Sequence, residues 1–135
     1  MNAIISKLRD KMNEHDAEGM AGLFAPDYRS DQPSHPRRGF GGRAQLARNW
    51  GTIFRGVPDL TAEVVSSTTI GSTAWTEWIW RGHHTDGSPF EMRGVTIMGL
   101  TADGLISEAR LYMETVEQDG VAIENAVQGL ARPST

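Results

Sequence analysis

The chain has 135 residues with 13 lysines and arginines against 17 aspartates and glutamates, a net charge of -4, and no cysteine. A chain of this length forms one domain that buries about two thirds of the surface it would expose unfolded, and without thiols it can hold neither disulfides nor cysteinyl metal sites. The acidic balance, with a pI of ≈ 5.5, excludes a nucleic-acid surface, which needs a concentrated basic patch, and no apolar run reaches the length of a membrane span. With Asp10 and Glu14 inside an N-terminal helical pattern there is no secretory leader, so the expectation is a cytoplasmic protein.

From Asn2 to His15 the apolar residues Ile4, Ile5, Leu8 and Met12 recur at helical spacing and form one buried stripe. Asp16 is placed to cap a second helix, with Met20, Leu23 and Phe24 on its buried side and Pro26 as its stop. Tyr28 to Gln32 reads as a short strand. The run Pro33-Ser34-His35-Pro36-Arg37-Arg38-Gly39 forbids regular structure and predicts a surface loop. Leu46, Trp50, Ile53 and Phe54 then mark a third helix that ends at Gly56, with Pro58 just beyond.

Four strands follow as a meander: Leu60 to Ile70, Ala74 to His84, Phe90 to Leu100 and Leu105 to Val116. Three of the four tryptophans, Trp75, Trp78 and Trp80, lie on the second of these. Strand side chains alternate faces, so bulk on both sides marks a central strand. Gly71-Ser72 predicts a two-residue turn, Thr85 to Pro89 the middle connection, and Asp103-Gly104 a four-residue turn. Pairing about these turns sets His84 opposite Phe90, Trp78 opposite Thr96 and Thr96 opposite Ala109. One face thereby collects Thr76, Trp78, Trp80, His84, Met92, Thr96 and Met113, to be covered by the helices. The other collects Trp75, Ile79, Val95, Ile97 and Tyr112 among charges such as Glu91, Arg93, Arg110 and Glu114, a mixture suited to the sheet of a second copy. The last ~15 residues are expected to trail as a loose tail.

Helices followed by a curled antiparallel meander resemble the cone-shaped α+β fold of the nuclear-transport-factor-2-like superfamily. The resemblance rests on the stretches from Met12 to Asp27, from Phe40 to Leu60, from Arg81 to Gly87 and from Ala102 to Glu114. Within that superfamily the Pro58-Asp59-Leu60 after the third helix, the turn Gly82-His83-His84-Thr85-Asp86-Gly87 and the closing Tyr112-Met113-Glu114 are similar to the SnoaL-like polyketide cyclase group. The resemblance implies a pocket between the concave sheet and the helices, and activities that range over isomerases, cyclases, dehydratases and epoxide hydrolases. Steroid isomerases of this superfamily use a carboxylate base near the end of the first strand and a Tyr with an Asp as oxyanion donors. Counting places Leu8 and Thr96 at the donor positions and Asp31 or Gln32 at the base, with ungapped counting favouring Gln32. The isomerase donors are thus replaced.

In such a pocket Asp31 is the carboxylate available from the first strand to act as general base on an apolar carbonyl compound, with His84 or His35 returning the proton. His83 and His84 point to opposite faces, and the pairing selects His84. Trp78, Trp80, Met92, Thr96 and Met113, with Gln32 and His35, form the expected wall for a small apolar ligand. The alternatives are a non-catalytic module that binds a hydrophobic metabolite against the same wall, and a dimerisation domain whose interior is filled by its own side chains. Adjacent histidines on a strand cannot share a metal and no helical ligand pair is present, so neither metal nor cofactor is expected.

Overall fold

The computed structural model describes residues 1–133. Helix α1 (Ala3–Asn13) starts where the Asn2 side chain accepts the Ile4 N–H, and buries Ile4, Ile5, Leu8 and Met12. Asp16 caps α2 (Ala17–Ala21) by accepting the Gly19 N–H at 2.8 Å. This helix is short because the chain turns into strand β1 (Phe24–Asp31) two residues later, and Pro26 lies within that strand instead of ending the helix. A 3-10 turn at Pro36–Arg38 leads to the two-residue strand β2 (Phe40–Gly41), and α3 (Arg43–Gly56) follows with Leu46 and Phe54 buried.

The meander comprises β3 (Thr61–Ile70), β4 (Thr73–His83), β5 (Pro89–Leu100) and β6 (Ile106–Thr115). Strands β1 and β2 extend it to a six-stranded sheet of order β2-β1-β6-β5-β4-β3. β1 runs parallel to β6 while its neighbour β2 is antiparallel to it, so the N-terminal strand closes the sheet beside the last strand of the meander. The helices pack on one face, where Ala74, Thr76, Trp78, Trp80, Met98 and Met113 are buried.

Two of the three predicted registers are displaced. The connection between β4 and β5 spans His84 to Ser88, so Gly82 rather than His84 opposes Phe90. Between β5 and β6 the loop runs from Thr101 to Leu105 and a bulge follows at Gly99/Leu100, so Thr96 meets Leu111 instead of Ala109. Each displacement is an even number of residues, and side-chain direction alternates with period two, so every strand keeps its predicted face. The turn at Gly71-Ser72 is as expected, with Ile70 opposite Thr73 and Gly71 at φ +59°.

Where a loose tail is expected, Ile123–Ala131 form a fourth helix, α4, none of whose residues is buried. On the outer face of the sheet, Ile79 and Ile97 are buried while Trp75 and Tyr112 remain 43% and 40% exposed.

Candidate functional site

Between the helices and the inner face of the sheet lies a cavity of about 190 Å³. That is room for about six waters at ~30 Å³ each, below the ~300 Å³ where pockets for drug-sized ligands begin. Its inner end is made by Leu8 and Met12 of α1, Met20 of α2, and Trp78, Thr96 and Met113 of the sheet, all buried. Its outer end is formed by residues that are only half-buried, namely Gln32, Phe40, Asn49, Trp50, Met92 and Leu111, which identifies the mouth. A larger depression of about 770 Å³ between α2 and α3 lies open to solvent over Ala17, Ala44 and Gly51 and touches none of the predicted residues.

Local structure explains which side chains reach the cavity. Along the last part of β1 the side chains alternate, so Tyr28, Ser30 and Gln32 line the cavity while Arg29 and Asp31 point away. On α3 the inward stripe is Leu46, Asn49, Trp50 and Ile53, the spacing of one helix face. On β4, Trp78 and Trp80 are two residues apart and share the inner face, with ring centroids 6.2 Å from each other; Trp50 stands edge-on to Trp80 at 5.2 Å. The Trp78 indole N–H donates to Thr96 Oγ1 at 2.9 Å. Trp80 Nε1 is buried and has no hydrogen-bond partner among the described residues.

No lining residue carries a carboxylate, imidazole, ammonium or guanidinium group. The one titratable group in the wall is Tyr28, whose phenol is pushed up to about 12, chiefly by burial.

Six of the nine predicted site residues line this one cavity: Gln32, Trp78, Trp80, Met92, Thr96 and Met113. The other three lie outside it. Asp31 sits on the opposite face of β1 from Ser30 and Gln32, its side chain 46% exposed and accepting from Arg29 Nη2 at 3.0 Å. His84 falls in the β4–β5 loop, because the pairing closes two residues earlier than expected, and it packs edge-on against Phe90 at 5.6 Å. His35 is bonded through Nε2 to Glu114 Oε1 at 2.8 Å, outside the wall. His83 is held by Asp59, which accepts both its backbone N–H and its Nδ1–H at 2.7 Å; these bonds keep the Asp59 carboxyl below its usual range. Asp31, His35, His83 and His84 thus each have a different neighbour.

Sequence reasoning missed Tyr28, Ser30 and Asn49. The first two share the period-two phase of Gln32, and Asn49 lies on the same helical stripe as Leu46 and Ile53, so both signals were present.

Helices packed on one face of a six-stranded sheet give the chain the nuclear-transport-factor-2-like α+β fold. Within it the chain belongs to the SnoaL-like domain family, which it matches over residues 5–109. Among solved structures it is similar to a hypothetical protein of ketosteroid isomerase-like fold from Catenulispora acidiphila, solved with trimethylamine. Their TM-score is 0.72 at 14% identity, over 82% of this chain and 84% of the other. It is also similar to the epoxide hydrolase/cyclase-like enzyme SalBIII of pyran ring formation in salinomycin (TM-score 0.72, 16% identity, 82% and 88% covered). A third is a Mycobacterium tuberculosis protein in complex with estradiol-17β-hemisuccinate (TM-score 0.69, 19% identity, 81% and 89% covered). Likeness at these identities establishes the fold. No curated protein matches in sequence, and no helix among the described residues is long and apolar enough to cross a membrane.

Proposed function

We propose that the chain binds one small, largely apolar molecule inside the cone, in contact with Trp78, Trp80, Met92, Thr96, Met113 and Gln32. The observation that carries this reading is the cavity itself, walled by tryptophan and methionine, open at one end and free of ionised side chains. Apolar walls supply affinity by removing ligand surface from water, and methionine adapts to its shape. Structural neighbours solved with trimethylamine and with estradiol-17β-hemisuccinate are consistent with a small-molecule site in this fold. Acid/base turnover of the cyclase or isomerase kind needs a base within reach of the substrate, and Asp31 and His84 lie outside the wall, so binding is the function the geometry supports best.

Titration with decalin, followed by the fluorescence of the three wall tryptophans Trp50, Trp78 and Trp80, tests the reading. The expected result is a saturable change with one site, matched by Asp31→Asn within about twofold, since a side chain turned out of the cavity changes little at a distance. A non-saturating response overturns the binding reading. Loss of binding in Asp31→Asn overturns the placement of Asp31.

For the outer sheet face we propose a second copy of the chain. Trp75 and Tyr112 stay about two-fifths exposed beside the buried Ile79 and Ile97, an apolar strip among paired charges. Light scattering is expected to give a dimer for the wild type and a monomer for Trp75→Glu; a monomeric wild type overturns this.

A further inference from the structure

Three hydrogen-bond donors at the cavity are left without acceptors, and for two of them the chain determines which end of an amide remains available. Arginine can only donate. Arg38 Nη1 donates to Gln32 Oε1 at 3.2 Å, so the amide oxygen of Gln32 faces the arginine and its NH2 group is what remains. Arg48 Nη2 donates to Gln45 Oε1 at 2.8 Å, which turns the Gln45 NH2 group to Asn49 Oδ1 at 2.6 Å. Asn49, too, is left with its NH2 group. Both relays begin at an arginine and end at an amide in the cavity wall, and neither NH2 group has an acceptor among the described residues. Trp80 Nε1 is the third donor, buried and unpaired. The remaining polar groups of the wall are the hydroxyls of Tyr28, Ser30 and Thr96, each of which brings a proton of its own, and Thr96 Oγ1 already accepts from Trp78, so the wall holds more donors than acceptors.

We infer that the cavity selects an apolar molecule whose polar group accepts hydrogen bonds without donating, a ketone or ester oxygen, with Gln32, Asn49 and Trp80 as the specificity-determining donors. This deepens the proposed binding function and rests on it. A ligand hydroxyl can also accept, but it adds one more donor to a wall that already has more donors than acceptors, and unpaired buried polar groups are what give sites of this kind their discrimination. Arg38 and Arg48 touch no ligand; they are positioning residues that hold the amides oxygen-outward.

The test compares 2-decalone, 2-decalol and 2-methyldecalin, alike in shape, by the same tryptophan fluorescence. The wild type is expected to bind the ketone about tenfold more tightly than the methyl compound, and several-fold more tightly than the alcohol, as one or two neutral hydrogen bonds provide. Gln32→Glu and Asn49→Asp replace a donor by an acceptor, and are expected to reverse the preference in favour of the alcohol. Arg38→Met, which frees the Gln32 amide to turn over, should shrink the ketone preference severalfold while leaving affinity for 2-methyldecalin unchanged. Trp80→Phe, which keeps a ring without the N–H, should shrink it likewise. Equal binding of all three compounds, or preference for the alcohol by the wild type, overturns the inference and leaves the binding function standing. Binding of none overturns both. An unchanged ketone preference in Trp80→Phe overturns the assignment of Trp80 as a donor.

Discussion

Thr96→Val removes one atom's chemistry and almost nothing of the shape. Both Thr96 and Trp78 are 1% exposed, and among the described residues the only hydrogen bond of the Trp78 indole is the 2.9 Å one to Thr96 Oγ1. Valine leaves that N–H buried without an acceptor, which costs about 1–3 kcal/mol. The gain from one extra buried methyl offsets less than ~1 kcal/mol of it, so the net loss is about 1–2 kcal/mol. Unfolding entropy of ~2.1 cal/mol/K per residue makes 1 kcal/mol worth roughly 3–4 °C in a chain this long, so the melting temperature should fall by about 3–8 °C. Calorimetry and urea titration of the wild type, Thr96→Val, Trp78→Phe and the double variant apportion the effect. Phenylalanine has no N–H to strand, so in the Trp78→Phe background the Thr96 change should cost about 0.5 kcal/mol or less, a coupling near 1 kcal/mol. If Thr96→Val costs the same in both backgrounds, the bond does not stabilise the sheet at this point and the reasoning fails.

Two further outcomes follow from burial and backbone geometry. A Cβ on Gly94 would lie within van der Waals overlap of the Tyr112 carbonyl oxygen, across the β5–β6 pair where backbone cannot give way, and Gly94 has φ +158°. Gly94→Ala should therefore destabilise by about 3 kcal/mol or more through overpacking and strain; a urea midpoint near that of the wild type would contradict the β5–β6 register. Burial pushes the Tyr28 phenol from 10.0 up to about 12. Because the folded value lies above the unfolded one, its contribution is present below pH ~10 and is lost as pH rises through about 12, in all about 2–3 kcal/mol. Stability measured from pH 9 to 12 should fall more steeply for the wild type than for Tyr28→Phe, and parallel curves would mean that the phenol is not buried.

The elements whose signal is local were legible in the residues. Ile4, Ile5, Leu8 and Met12 mark α1, Asp16 caps α2, and Leu46, Trp50, Ile53 and Phe54 mark α3, because helical spacing and caps act within one or two turns. The two faces of the meander were legible for a related reason: the loop and bulge that displaced its registers did so by even numbers, leaving Trp78, Trp80, Met92, Thr96 and Met113 on the inner face. The six predicted residues that share the cavity wall come from this parity and, for Gln32, from a counting resemblance.

What only the tertiary structure decided depends on contacts far apart in the chain. Asp31 and Gln32 are neighbours with opposite fates: the period-two phase of Tyr28 and Ser30 favours Gln32, but whether that phase holds through the strand is not a local matter. That is settled by the bulge between Phe24 and Arg29 and by the parallel pairing of β1 with β6, some eighty residues away. The same holds for His35, which meets Glu114 across 79 residues, and for the relays that leave Gln32 and Asn49 with free amide donors. Periodicity assigns a side chain to a face, but the direction of a single hydrogen bond is set by whichever distant group the fold brings against it.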